Sequence, residues 1–210
     1  MVEWNQILCK RGYSIEEPDD AVVNFAALLR KKSKEMRILD LGCGGGRHQI
    51  YMARQGFETH GIDISKTGLK LTKDRLEKQR LAGHMVKCDM HFLPYVDFCF
   101  DAVVCFQTIY HQGLSGIQGT VSEVHRILRK EGLILVNFLS NRTYSYAIGA
   151  EVEGGTFVRE EGAEKGVLHH FSDKEEIEQL FKRFKIVSLR LHEKEVEGAL
   201  QSRWILIAKT

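Results

Sequence analysis

From about residue 20 to residue 140, short apolar runs alternate with stretches whose apolar positions recur every three or four residues. The runs predict strands buried on both faces, and the 3.6-residue repeat predicts helices that cover them. Residues 20–34 put Val22, Phe25, Ala26 and Leu29 on one helical face. Residues 36–41 then read as a first buried strand, closed by glycines 42–46. A helix follows to about Gln55, where Gly56 stops it.

The same alternation repeats. Residues 57–62 predict a second strand, and Ser65 caps a helix running to about Leu81. Residues 85–88 and 100–106 predict strands three and four. A helix over 117–128 aligns Ile117, Val121, Val124 and Leu128, Gly132 ends it, and residues 133–139 form strand five. Such a βα series predicts an α/β, doubly wound, mostly parallel sheet.

Beyond Ser140 the pattern changes. Residues 141–171 are rich in glycine, charge and aromatics, and 156–159 can pair with 167–171 around the turn-like stretch 160–166. Ser172-Asp173-Lys174-Glu175 matches a capping box ahead of a helix that buries Ile177, Leu180, Phe181 and Phe184. Two apolar segments follow, 186–191 and 204–208. No repeat or linker interrupts the chain, so residues 1–210 read as a single domain: an N-terminal helical cover over 1–35, a core over 36–139 and a lid over 141–171.

Composition narrows the class. With 210 residues, 43% of them apolar, the chain can bury one substantial core. The longest stretch without Asp, Glu, Lys or Arg, residues 102–122, is broken by Gln107, His111, Gln112 and three glycines, so no membrane span is expected. Glu3 stands where a secretory segment would be apolar, and no targeting signal is expected. A net charge of +2 lacks the basic excess of nucleic-acid binders, which leaves a small molecule as the expected partner. The five cysteines form no C-x-x-C pair and read as reduced thiols of a cytoplasmic protein. No zinc-ligand spacing joins them to the histidines, and the neighbours His169 and His170 read as strand residues on opposite faces, so no metal site is expected.

Candidate chemistry sits in Ile38-Leu39-Asp40-Leu41-Gly42-Cys43-Gly44-Gly45-Gly46-Arg47-His48, a strand that runs through a glycine turn into a helix. Glycines there admit positive φ and let a ligand touch bare backbone, while the helix start offers free N–H groups. Asp63, at the end of the next strand, is placed to accept both hydroxyls of a ribose. A dinucleotide fingerprint would need glycine at position 47 or 49, where the chain has Arg47 and Gln49. The glycines present follow the pattern G-x-G-x-G.

On that loop, preceded by Asp40, the sequence resembles the class I S-adenosylmethionine-dependent methyltransferases, of the small-molecule group. The resemblance runs over residues 36–139. Cys88-Asp89-Met90 is similar to the family's adenine-side acid, and residues 100–105 to its fourth-strand motif. The turn before strand five reads Arg129-Lys130-Glu131-Gly132 where most relatives have K-P-G-G. The resemblance implies a seven-stranded sheet with an antiparallel final strand and S-adenosylmethionine as cofactor. Asp40, Gly42, Cys43, Gly44, Gly46 and Arg47 would surround its methionine part, Asp63 its ribose and Asp89 its adenine edge, with Ile64, Met90 and Phe106 in contact.

The acceptor side is expected just past strand four, where ligands of such sheets bind, with His111 as a candidate base and Tyr110 as a candidate orienting group. Tyr13, Tyr144, Tyr146, Arg159 and His169 are candidates to line the same pocket. The chain lacks the [DNS]-P-P-[YFW] motif of amino-methyltransferases, having only Pro18 and Pro94. The expected activity is methyl transfer to an O, N or S atom of a small molecule, by a monomer or homodimer. The alternatives are a non-catalytic S-adenosylmethionine-binding or regulatory protein and an NAD-dependent oxidoreductase.

Overall fold

The computed structural model describes residues 4–10, 15–33 and 35–210. Tyr13 lies outside them. Helices α1 (Trp4–Ile7), α2 (Asp20–Lys32), α3 (Arg47–Arg54), α4 (Lys66–Lys78), α5 (Leu114–Ile127) and α6 (Lys174–Leu180) pack around a central sheet. Its parallel strands β1 (Arg37–Leu41), β2 (Glu58–Asp63), β3 (His84–Lys87), β4 (Phe100–Cys105) and β5 (Leu128–Ser140) lie in the order β3-β2-β1-β4-β5.

Successive side chains of a strand point to opposite faces, and this divides the core in two. Leu39, Leu41, Val103 and Cys105 pack with Val121, Val124, Phe138 and Phe181 on one face. Ile38, Ala102 and Val104 pack with Val22, Phe25, Leu29 and Met52 on the other. Both faces are covered, as the continuous apolar runs require.

The C-terminal hairpin of β9 (Lys185–Val196) and β10 (Ala199–Lys209) completes seven strands, with β10 inserted antiparallel between β5 and β9. Three more extend the sheet: β6 (Ala150–Glu153), β7 (Thr156–Val158) and β8 (Leu168–Ser172). The last register partner of β5 on β4 is Val136, opposite Cys105, and β8 takes the vacated edge by pairing Phe171 with Leu139 and Ser172 with Ser140. The β7–β8 pair matches the expected hairpin around residues 160–166.

Three local expectations are corrected. Helix α5 begins at Leu114 and ends at Ile127, and Leu128 already pairs with Phe100 in β5, so Gly132 is not its stop. Instead the β4–β5 register shifts between Phe100 and Ala102. Glu131 adopts φ +64° there, a conformation glycine would hold without strain. Ser172 is buried in β8, and the cap of α6 is Asp173, whose carboxylate accepts from Glu176 N–H at 2.9 Å. Helix α4 stops at Lys78 because Arg80 turns left-handed, with φ +55°.

Candidate active site

At the carboxyl end of β1 the chain turns sharply. Gly42 and Cys43 both donate to Ile62 O at 2.9 Å, which folds the loop over the end of β2. Gly42, Gly44 and Gly46 have φ of +76°, +51° and +82°. A Cβ on Gly42 would stand 2.1 Å from Thr108 Cγ2, and one on Gly46 2.6 Å from Thr72 Cγ2, so these two glycines also make room for neighbours. A Cβ on Gly44 would meet only Leu8, at 3.7 Å. The loop is braced from outside, Thr72 Oγ1 donating to Gly44 O at 2.8 Å and an Arg75 N–H to Gly45 O at 2.7 Å. Each carbonyl keeps a second lone pair.

Asp63 closes the other wall. Its carboxylate accepts from Gly44 N–H at 2.8 Å and from Ser65 N–H at 2.7 Å, and burial raises its pKa against those hydrogen bonds. Across the cleft, Asp89 accepts from His91 N–H at 3.0 Å and touches its Nδ1 at 2.5 Å. Gly42, Cys43, Gly44, Arg47, Asp63, Ile64, Asp89, Met90 and Phe106 line one cleft of about 370 Å³ with Tyr110 and His111. Asp40 and Gly46 are not in its lining. Asp40 lies under the loop, accepting from Gln49 N–H at 3.0 Å, and supports the start of α3.

Burial sets the electrostatics beneath the loop. Desolvation raises the Asp40 pKa to about 7, against the pull of Gln49 N–H and Arg47. It lowers His48 to about 3, so that ring stays neutral. The Cys43 thiol is pushed far up by burial, with Asp40 and Asp63 adding to it, and is not a nucleophile at neutral pH. Arg47 reaches from α3 to donate to Gln107 Oε1 at 2.6 Å, and its pKa is lowered by burial. Gln107 holds φ +60° and donates its own N–H to Asn137 Oδ1 at 2.6 Å.

At the acceptor end, Tyr110 and His111 follow β4. Burial raises the Tyr110 phenol, and desolvation holds His111 at about 3, with His169 adding to the effect. His170 N–H donates to Tyr110 O at 2.8 Å and binds β8 to this loop, which sets His169 and His111 with ring centres 4.8 Å apart. Arg159, with Tyr144, lines a second depression that shares only Glu164 with the first. Tyr146 packs edge-on against Phe157 and Phe171 at 5.5 and 5.4 Å. His169 and His170 are both buried in β8, and His169 packs against His111 without lining the cleft.

The roof of the cleft carries no sequence motif. Trp4 of α1 lies edge-on against His111 with centres 4.9 Å apart, and Leu8 and Ile15 join it in the lining. Asn5 Oδ1 accepts from Ser65 Oγ at 3.0 Å and Thr67 N–H at 3.2 Å, fixing α1 to the start of α4. Gln107 and Thr108 line the cleft from the segment after β4 where the acceptor side is expected, and Gln112 and Glu164, which stand in no periodic pattern or motif, join them.

The residues present fit S-adenosylmethionine: a half-buried carboxylate at the end of β2, bare glycine backbone open to the cleft, and an arginine at its edge. Among the described residues no helix is long and apolar enough to cross a membrane.

Comparisons with known proteins agree. The profile of the family described as methyltransferase domain matches residues 39–136. A ubiquinone biosynthesis O-methyltransferase of Alkalilimnicola ehrlichii is 32% identical over 122 residues, 55% of this chain and 47% of that protein. The chain spans about half the length of the curated relatives it matches. A solved S-adenosylmethionine-dependent methyltransferase from Methanosarcina mazei superposes with a TM-score of 0.76 at 20% identity, over 88% of this chain and 96% of that one. The 1,6-didemethyltoxoflavin-N1-methyltransferase of Burkholderia thailandensis, solved with 1,6-didemethyltoxoflavin and S-adenosylhomocysteine, gives 0.68 at 17% identity, over 90% and 78%. Residues 39–136 thus match the methyltransferase-domain family, and the chain has the fold of solved S-adenosylmethionine-dependent methyltransferases.

Proposed function

We propose that the chain transfers the methyl group of S-adenosylmethionine to an O, N or S atom of a small molecule. The observation that carries this reading is Asp63, a carboxylate held by Gly44 and Ser65 main-chain N–H groups in the wall of a cleft that continues to Tyr110 and His111. When bound, the cofactor supplies a sulfonium-activated methyl group. The chain's own task is to orient the acceptor and exclude water, which can lower a barrier by about 7–11 kcal/mol. Gly42, Cys43, Gly44 and Arg47 hold the methionine part in this reading, Asp63 the ribose, and Asp89, Ile64 and Met90 the adenine. Asp40 and Gly46 act from beneath by shaping the loop.

Tyr110 and His111 are the acceptor-side residues. With a pKa of about 3, His111 is neutral at pH 7 and receives a hydrogen bond from the acceptor rather than storing its proton. Tyr110 keeps its phenolic proton and orients the same group. The small-molecule acceptor is supported by the size of the cleft, about 370 Å³, by the net charge of +2, and by the acceptor named for the Burkholderia structure of the same fold.

A thermal-shift titration tests the reading. S-adenosylmethionine and S-adenosylhomocysteine are expected to raise Tm while NAD and NADP leave it unchanged. Stabilisation by NAD alone overturns the proposal, and absence of turnover of labelled cofactor on metabolite extracts, despite binding, would favour a non-catalytic role.

A further inference from the structure

We propose that His111, His169 and Glu164 form a site for one divalent transition-metal ion of the zinc class at the acceptor end of the cleft. One ligand atom from each of the three lies within 4.8 Å of the other two. The three come from separate parts of the chain: the loop after β4, strand β8, and the turn that precedes β8. The hydrogen bond from His170 N–H to Tyr110 O, at 2.8 Å, brings the first two together, and Val167 N–H to Glu164 O, at 2.9 Å, folds the turn back onto them.

The hydrogen bonds of the rings point to a ligand. His111 Nδ1 lies 3.4 Å from Leu168 O, and His169 Nδ1 lies 3.3 Å from Val167 O. A main-chain carbonyl only accepts, so Nδ1 donates in each ring and Nε2 is the nitrogen left for a further partner. Metal-binding histidines are oriented in this way, the second nitrogen donating to a carbonyl or carboxylate. His169 Nε2 also faces Glu164 Oε2 at 2.8 Å, two acceptor atoms that need a cation between them, either a proton or a metal ion. Ligands about 2.1 Å from a shared tetrahedral ion stand roughly 3.4 Å apart, so side-chain rotations of about an ångström close the set.

Two imidazoles and a carboxylate suit zinc and its neighbours and leave coordination positions open. In the methyl-transfer reading, on which only this role rests, His111 Nε2 binds the ion in place of the acceptor's hydrogen bond, and an open position seats an acceptor hydroxyl or thiol and lowers its pKa, its proton passing to solvent. The site thus selects acceptors with an ionisable, metal-binding group. The other His and carboxylate cluster, Glu58, His60 and His84, sits at the opposite end of the strands, where Glu58 Oε1 is already shared by Arg37 at 2.8 Å and His60 at 3.0 Å.

The test is calorimetric titration of chelator-treated full-length protein with Zn²⁺, paralleled by visible absorption with Co²⁺. One ion per chain is expected, with a cobalt d–d band. Glu164→Gln and His169→Gln should each weaken binding at least about tenfold, while His84→Ala leaves it unchanged. Glu164 is a partly exposed loop residue and its glutamine keeps the same size, so this variant reports on the ion even if His169→Gln fails to fold. Absence of stoichiometric binding by the parent protein overturns the proposal, as does binding that survives both variants or is abolished by His84→Ala. A Tm rise with S-adenosylhomocysteine, read in the same samples, separates this outcome from failure of the cofactor site.

Discussion

Gly44 and Asp63 are nineteen residues apart in the chain, and the Gly44 N–H donates to the Asp63 carboxylate at 2.8 Å. That bond fastens the glycine loop of β1 to the end of β2 and settles both walls of the cleft. It also orients the carboxylate, which Ser65 N–H grips from the other side.

Replacing Asp63 with alanine removes a charged acceptor from ligand and loop together. Hydrogen bonds to charged groups contribute about 1.5–3 kcal/mol each, so S-adenosylhomocysteine affinity should fall at least tenfold. Calorimetry checks this, and unchanged affinity would refute the ribose role.

Gly42→Ala should destabilise the fold by about 2 kcal/mol or more, since the new methyl meets Thr108 Cγ2 and the residue keeps a positive φ. The double variant Gly42→Ala, Thr108→Ala relieves the collision but not the backbone strain. Urea denaturation should therefore show partial recovery only.

Asp40 gives a pH signature. Its pKa of about 7 in the fold lies above the ordinary value of 3.8, so the folded chain holds the proton more tightly. The stability this contributes is complete below about pH 4 and is lost as the pH rises through 7. Asp40→Asn abolishes the titration while keeping an acceptor for Gln49 N–H. Relative to the parent, the variant should gain roughly 2–4 kcal/mol between pH 4 and 8. His48, held near 3, loses stability in the opposite direction as the pH falls, and cancels in the comparison. A difference that is flat across this window would contradict the assignment.

Asn5 tests the roof. Its Oδ1 accepts two hydrogen bonds at the start of α4, next to the cleft. Asn5→Ala should lower S-adenosylhomocysteine affinity about three- to tenfold with little change in the Tm of the unliganded protein. Equal losses of Tm with and without ligand would instead make α1 a purely structural element.

The sequence alone determined the layered α/β fold, because Ile38 against Leu39 and Ala102 against Val103 carry the period of a strand covered on both faces. It also marked the cleft wall proposed for the cofactor, since Gly42, Gly44 and Asp63 meet a local demand of backbone geometry and charge that leaves a motif. Tertiary structure alone decided the rest. The edge of β5 beyond Val136 became available to β8 because β4 stops there, a relation between strands that neither encodes. Trp4 and Glu164 reach the pocket of His111 from segments more than fifty residues away, and side chains assembled over such distances leave no spacing to read.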